Sequence, residues 1–362
     1  MSLAIVVGTR PETIKLAPVV KELEKRGVSF TFIHTGQHYD YMLSLKFIEE
    51  LELPKPDYSF KLRSSRPASQ MGEMVVKLER VLRRCKPKLM TIQGDTNTML
   101  AAALAGVKLF IPVGHVEAGL RSYDWRMPEE HNRRMVDHVS TLLFAPTELA
   151  KQNLLNEKVY GKVYVTGNTV VDAVKQCLPL AEKTSHIMEE IPFKDYILAT
   201  VHRAENVDDP KVLRNFVEVF LKAPLPVVFP VHPRTAKNLR RFNLMKKLKE
   251  SNNVLLLPPI GYFDFLLLMK YCTLIMTDSG GLQEEATVPE IRKPVLVLRL
   301  STERPEAVEA GFARVVGVDK RKILKTLHEV VEKPLSLPSC SPFGDGFASQ
   351  RIVNIAIDFL RQ

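Results

Sequence analysis

The chain has 362 residues, 45% of them hydrophobic and 25% charged, with a formal net charge of +10. That length suits about two domains, each large enough to bury a full core. No apolar run approaches the roughly 20 residues of a membrane-spanning helix, and Cys85, Cys177, Cys272 and Cys340 have the spacing of neither a zinc site nor a disulfide framework. Scattered cysteines fit a reducing compartment, so a cytoplasmic protein with no membrane partner is expected. A nucleic-acid partner would need the basic charge clustered beside aromatics. The runs Arg80–Arg84 and Lys246–Lys249 instead lie on helical patterns and read as solvated faces. Solubility, together with attraction of an anionic small substrate, accounts for the charge.

Leu3–Val7 reads as a first strand, too short and too soon ended by Arg10 for a targeting segment. Strand-length apolar runs follow at Phe30–His34, Lys88–Ile92, Phe110–Val116, Leu142–Ala145 and Val163–Thr166. A second set comprises Tyr196–Val201, Pro226–Val231, Val254–Leu257, Thr273–Thr277, Val295–Leu298 and Ala313–Val316. Helical patterns at Thr13–Arg26, Thr98–Ala105, Val171–Glu182, Val212–Ala223 and Leu282–Ala286 alternate with them. Strand–helix alternation predicts α/β architecture with parallel sheets, and runs apolar throughout suit strands covered on both faces. We expect two doubly wound domains, 1–170 and 171–346, joined near Gly167–Val171. After the Pro- and Ser-rich stretch Pro334–Gly346, a last helix is expected at Ala348–Leu360, within 347–362.

In open parallel sheets ligands bind beyond the carboxyl ends of the strands, so the residues after each run matter most. The first run ends in Gly8-Thr9-Arg10-Pro11-Glu12, where Arg10 and Lys15 face an anion or, in the plainer reading, Glu12 settles the helix dipole and Lys15 is a surface charge. Asp95 and Glu117 follow two further runs and are candidates for proton transfer, with helix capping as the simpler role for Asp95. In Pro128-Glu129-Glu130-His131-Asn132-Arg133-Arg134 the spacing predicts i,i+4 pairs of Glu129 with Arg133 and Glu130 with Arg134. His202, with Arg203 after it, ends another run and can exchange protons near neutrality, and His232 is a parallel case. Asp278-Ser279-Gly280-Gly281-Leu282-Gln283-Glu284-Glu285 reads as strand, tight turn and helix: a phosphate cradle with Glu285 toward ribose, or simple capping by Ser279. The first strand is not followed by G-x-G-x-x-G, no P-loop occurs, and His115, His131 and His138 form no metal motif, so neither nicotinamide nor metal is expected.

Taken together, these stretches resemble the non-hydrolysing UDP-N-acetylglucosamine 2-epimerases. The resemblance also uses Gly36-Gln37-His38, Gln93-Gly94-Asp95-Thr96, His115-Val116-Glu117-Ala118-Gly119-Leu120-Arg121, Pro146-Thr147-Glu148, Gly167-Asn168-Thr169, His202–Asn206 and Thr302-Glu303-Arg304-Pro305-Glu306, in family order over nearly the whole chain. It implies a GT-B fold, two Rossmann-like domains with the active site between them, a last helix (347–362) that crosses back onto the first domain, a homodimer and no cofactor. It implies interconversion of UDP-N-acetylglucosamine and UDP-N-acetylmannosamine by anti elimination of UDP to 2-acetamidoglucal and re-addition. By position it makes Asp95, Glu117, Glu129 and His202 catalytic, and Arg10, Lys15, Arg133, Phe265, Ser279, Gly280, Gly281 and Glu285 substrate-binding. An allosteric site would fall on Gln37, Arg203 and His232. Its second glutamine is replaced here by Asp40, and the segment Ser122–Met127 is shorter than in many bacterial relatives. A hydrolysing 2-epimerase, a GT-B glycosyltransferase and a nucleotide-sugar sensor are the alternatives.

Overall fold

The architecture comes from a computed structural model that describes residues 2–37 and 47–362. The chain divides into two compact units, Met1–Ala173 with Phe343–Gln362, and Val174–Pro342.

The first unit is built on a seven-stranded sheet of order β3-β2-β1-β4-β5-β6-β7. Its strands are β1 Leu3–Val7, β2 Phe30–His34, β3 Tyr58–Ser59, β4 Leu89–Gln93, β5 Val113–Val116, β6 Leu142–Ala145 and β7 Lys162–Val165. Every neighbouring pair is parallel. β1, β4, β5 and β6 are buried along their whole length, as strands covered on both faces must be. Ala4 and Val6 join Met74 and Leu78 of the helix Pro67–Cys85 and Leu100 and Ala101 of the helix Asn97–Lys108 in one core. Leu3, Ile5 and Val7 alternate to the opposite face and are equally buried. The C-terminal helix Ala348–Arg361 packs on the helix Arg10–Lys25, and Asp172 caps it by accepting from Ala348 N at 3.2 Å and Ser349 N at 2.8 Å.

The second unit carries a six-stranded parallel sheet of order β10-β9-β8-β11-β12-β13. Its strands are β8 Ile197–Thr200, β9 Val227–Pro230, β10 Val254–Leu257, β11 Leu274–Thr277, β12 Val295–Val297 and β13 Ala313–Val315. Phe216, Phe220 and Phe229 anchor its core, the last two in an edge-to-face pair 5.1 Å apart. In both sheets the strand order reverses beside the first strand of the unit: between β1 and β4, and between β8 and β11. The ends of these pairs are the topological switch points where α/β folds bind ligands.

Most predicted strands agree with these to within a residue or two. The run at Phe110 is the exception: Phe110 is 95% exposed with φ +56°, a left-handed turn residue, and β5 starts at Val113. The two-residue β3 is too short to form a sequence pattern.

Candidate active site

In the first unit the chemistry gathers at the exits of β1, β4 and β5. Lys15 lies one turn into the helix Arg10–Lys25, on its buried face, and its ammonium grips both oxygens of Glu117 at 2.8 and 2.7 Å. Gln93, the last residue of β4, donates a further bond to Glu117. Glu117 is buried and adopts φ +71° in the turn after β5, a conformation that costs a residue with a Cβ roughly 1–2 kcal/mol. Its amide and that of Ala118 both donate to Phe144 O, at 3.1 and 3.2 Å, which holds the turn in place. A carboxylate kept at a strained position, between a cation and an amide, is a feature that turn chemistry alone does not require.

Asp95 exits β4 and meets the Arg133 guanidinium at 2.6 Å. Asn132, beside Arg133 on the helix Pro128–Val139, donates to Asp95 O at 2.9 Å. Arg133 also reaches Glu130 at 3.2 Å, and its Nε is buried with no hydrogen-bond partner among the described residues. Glu130 is fully buried. Burial opposes its charge, but Ser122 N, Arg133 and Arg134 together hold the carboxyl below the usual range. Glu129 is half-buried in the first turn of the same helix. Glu12 accepts from Gly8 N at 2.6 Å and Thr9 N at 2.9 Å, and Thr96 bonds its other oxygen. Burial pushes Glu12 up to about 7. Arg10 is exposed, its guanidinium 4.6 Å from the centre of the Phe47 ring. Gln37 Oε1 accepts from Thr98 N at 2.8 Å and Thr98 Oγ1 at 2.7 Å.

In the second unit the exits of β8 and β11 are tied by one buried carboxylate. Asp278 accepts from His202 N, Arg203 N and Asn206 Nδ2, all near 3.0 Å, and lies 3.3 Å from His202 Nδ1. It thereby shapes the turn that presents His202. Burial pulls this imidazole below the usual histidine range, against the pull of Asp278. The His232 ring is 5.5 Å from that of His202, and its Nδ1 accepts from Arg234 N at 3.2 Å. Glu303, pulled down to about 2 against its burial by Arg304, Arg299 and Arg203, lies under Gly280: a Cβ there would sit 3.1 Å from its carboxylate. A Cβ on Gly281 would meet nothing within 4 Å. Ser279 occupies the N-cap position of Gly280–Glu285 without a capping side-chain bond, leaving the turn's backbone amides as the candidate anion cradle. Glu285 is buried and accepts from Tyr262 OH at 3.1 Å. Phe265 is half-buried on the helix Tyr262–Tyr271.

Several pairings differ from those the spacing suggested. Arg133 reaches Asp95 and Glu130 rather than Glu129, because its side chain turns inward from the helix, while Glu130 does pair with Arg134 at 3.0 Å. Thr96, not Asp95, caps the helix Asn97–Lys108 by accepting from Met99 N. Lys15 is buried, so the reading as a surface charge fails. Asp40 lies outside the described residues. Neither the ion pairs of His115, Arg121 and Asp137 nor Asp278 as an organiser is visible in residue spacing, because an acid's burial is set by tertiary packing. Among the described residues no group of three His, Cys, Asp or Glu is placed to hold a metal, and no helix is long and apolar enough to cross a membrane.

The sequence profile of the UDP-N-acetylglucosamine 2-epimerase family matches residues 21–357. The UDP-N-acetylglucosamine 2-epimerase of Methanocaldococcus jannaschii is 46% identical over 367 aligned positions, covering 98% of each chain. The crystal structure of the M. jannaschii enzyme in complex with UDP-GlcNAc and UDP aligns with TM-score 0.90 at 45% identity, over 99% of this chain and 100% of that one. The Neisseria meningitidis UDP-GlcNAc 2-epimerase bound to UDP-GlcNAc aligns with TM-score 0.89 at 37% identity, over 99% and 100%. The paired Rossmann-like parallel sheets are those of the GT-B fold. With its switch-point residues in this arrangement and its full length matched, the chain belongs to the UDP-N-acetylglucosamine 2-epimerase family.

Proposed function

We propose that this chain interconverts UDP-N-acetylglucosamine and UDP-N-acetylmannosamine without net hydrolysis. The observation that carries the reading is the pair of gripped carboxylates at the strand exits of the first unit, Glu117 with Lys15 and Asp95 with Arg133. The M. jannaschii relative, named for 2-epimerase activity and crystallised with UDP-GlcNAc and UDP, supports the choice of substrate.

Carbon 2 of the sugar has no adjacent carbonyl, so its proton is not acidic enough for simple abstraction. Loss of UDP from carbon 1 removes that obstacle. The C2–H bond breaks, its electrons form the C1=C2 double bond, and the C1–O pair departs on the β-phosphate, giving 2-acetamidoglucal and UDP. UDP then adds back to carbon 1 while carbon 2 takes a proton on the opposite face. Oxidation state is unchanged across the cycle, so no redox cofactor is consumed.

Asp95, Glu117 and Glu129 share the proton transfers on the two faces. Arg10, Lys15 and Arg133 bind the substrate, Arg133 through the unsatisfied Nε. Ser279, Gly280 and Gly281 hold the diphosphate, Glu285 the ribose and Phe265 the uracil. His202 Nε2 bonds a departing phosphate oxygen, whose charge raises the proton affinity of the ring. Gln37, Arg203 and His232 are assigned to a second molecule of UDP-N-acetylglucosamine. The enzyme acts as a cytoplasmic homodimer.

Turnover in D₂O followed by NMR tests the reading. The expected product is a mixture of both epimers deuterated at carbon 2, whereas free N-acetylmannosamine would identify the hydrolysing reaction. Glu117→Gln is expected to slow label uptake by roughly 10²–10⁴-fold while UDP still binds. Uptake at the parental rate in this variant removes Glu117 from the chemistry.

A further inference from the structure

We propose that His115, held by Asp137, is a positioning residue that fixes the Asp95 loop and the Glu117 turn relative to each other. The inference rests on the epimerase reading for the roles of those two carboxylates. His115 lies in β5, two residues before Glu117, and is fully buried, as is Asp137. Each ring nitrogen faces an oxygen: Nδ1 is 2.7 Å from Asp137 Oδ1, and Nε2 is 2.9 Å from Gly94 O. Gly94 immediately precedes Asp95, and its own amide donates to Val116 O at 3.1 Å, next to Glu117. The second oxygen of Asp137 accepts from Gly119 N at 3.2 Å. One buried imidazole–carboxylate pair therefore touches the backbone on both sides of the candidate chemistry. It reaches the residue before Asp95 and the far end of the turn that carries Glu117.

Two features make this pair more than core filling. The turn it braces is under backbone tension at Glu117, which sits at φ +71°. Such conformations persist only where the surroundings hold them. A Cβ on Gly119 would also come within 2.2 Å of Ala150 O, so the turn has no room to relax in that direction. The brace is itself anchored: Arg121 bonds Asp137 at 2.8 Å and Glu157 at 2.7 Å, and Glu157 bonds Arg134 at 2.7 Å. Arg134 reaches Glu130, Glu130 reaches Arg133, and Arg133 reaches Asp95. The chain of paired side chains starting at His115 thus ends on the side chain whose backbone His115 already supports through Gly94. Errors of about 1 Å in placing an acid–base group cost on the order of 10²-fold in rate, so a brace of this kind acts on turnover rather than on nucleotide affinity.

The two ring nitrogens can be separated by substitution. An asparagine amide takes the place of Nδ1 and a glutamine amide that of Nε2. His115→Asn keeps the Asp137 side and frees Gly94, and His115→Gln does the reverse. Asp137→Asn weakens the brace while leaving the imidazole. Each variant is assayed for UDP-binding stoichiometry by calorimetry, for kcat and KM with UDP-N-acetylglucosamine, and for amide hydrogen exchange with and without UDP. We expect kcat per UDP-competent chain to fall about 10-fold or more, with KM changed by less than about threefold. Exchange should quicken at residues 94–97 in His115→Asn and at 117–121 in His115→Gln. Unchanged kcat per UDP-competent chain, or exchange that quickens uniformly across the first unit, overturns the proposal. The exchange pattern is read without turnover. A parent protein that takes up no deuterium at carbon 2 therefore defeats the epimerase reading alone, and the segment-specific loosening still decides the brace.

Discussion

Replacing Glu12 by glutamine should make the protein more stable above neutral pH. Glu12 is 2% exposed and accepts from the amides of Gly8 and Thr9 through one oxygen, while Thr96 bonds the other. Those bonds favour the carboxylate, but burial outweighs them and lifts the group from 4.5 to about 7. The sign follows from linkage. A folded state that holds the proton more tightly than the unfolded chain has its full share of stability below about pH 4.5, and loses it as the pH rises through 7. A shift of that size corresponds to on the order of 3 kcal/mol at pH 8. Glutamine keeps an oxygen for Gly8 N and Thr9 N and an amide donor for Thr96, and has no proton to lose. Glu12→Gln should therefore match the parent near pH 5 and gain in melting temperature as the pH rises. With about 2–4 °C per kcal/mol for a unit of this size, the difference at pH 8 is roughly 6–12 °C. Thermal unfolding of both proteins in half-unit steps from pH 5 to 8 measures it. Curves that stay parallel across the range would refute the reasoning.

Two further substitutions test the scaffold around each set of residues. Gly280→Ala places a methyl group 3.1 Å from the Glu303 carboxylate, which must then give way. UDP affinity measured by calorimetry should fall about 10-fold or more, a loss of roughly 1.4 kcal/mol, and parental affinity would show that the turn has slack. Asp172→Ala removes three bonds at the start of the helix Ala348–Arg361, from Ala348 N, Ser349 N and Ser349 Oγ. Limited proteolysis should release the C-terminal segment sooner, with a loss of about 1–2 kcal/mol in stability, and unaltered cleavage would mean that apolar packing alone docks the helix.

Strand positions were legible because β1 is apolar throughout and β4, β8 and β11 are mostly so, as suits strands covered on both faces. Where a run mixed signals the reading slipped: Phe110 and Ile111 extend the apolar stretch before β5, yet the chain there is still turning out of the helix. The residues after each strand were legible as site candidates because parallel topology puts all strand exits at one edge. Their partners were not. Helical spacing offered Glu129 to Arg133, but the Asp95 it meets is 38 residues away in sequence and becomes a neighbour only through the order β1-β4-β5. Asp137 sits among His131, Arg133, Arg134 and His138, and nothing in its spacing signals that it is fully buried against His115 and Arg121.

The left-handed backbone at Glu117 has a bearing on how this enzyme can be improved. Glycine or asparagine would occupy that conformation more comfortably than glutamate does. A library selected only for heat resistance will therefore tend to discard this side chain, and under the role proposed for Glu117 its most rugged members lose turnover. Selection for robustness here has to be coupled to turnover, or position 117 has to be withheld from randomisation.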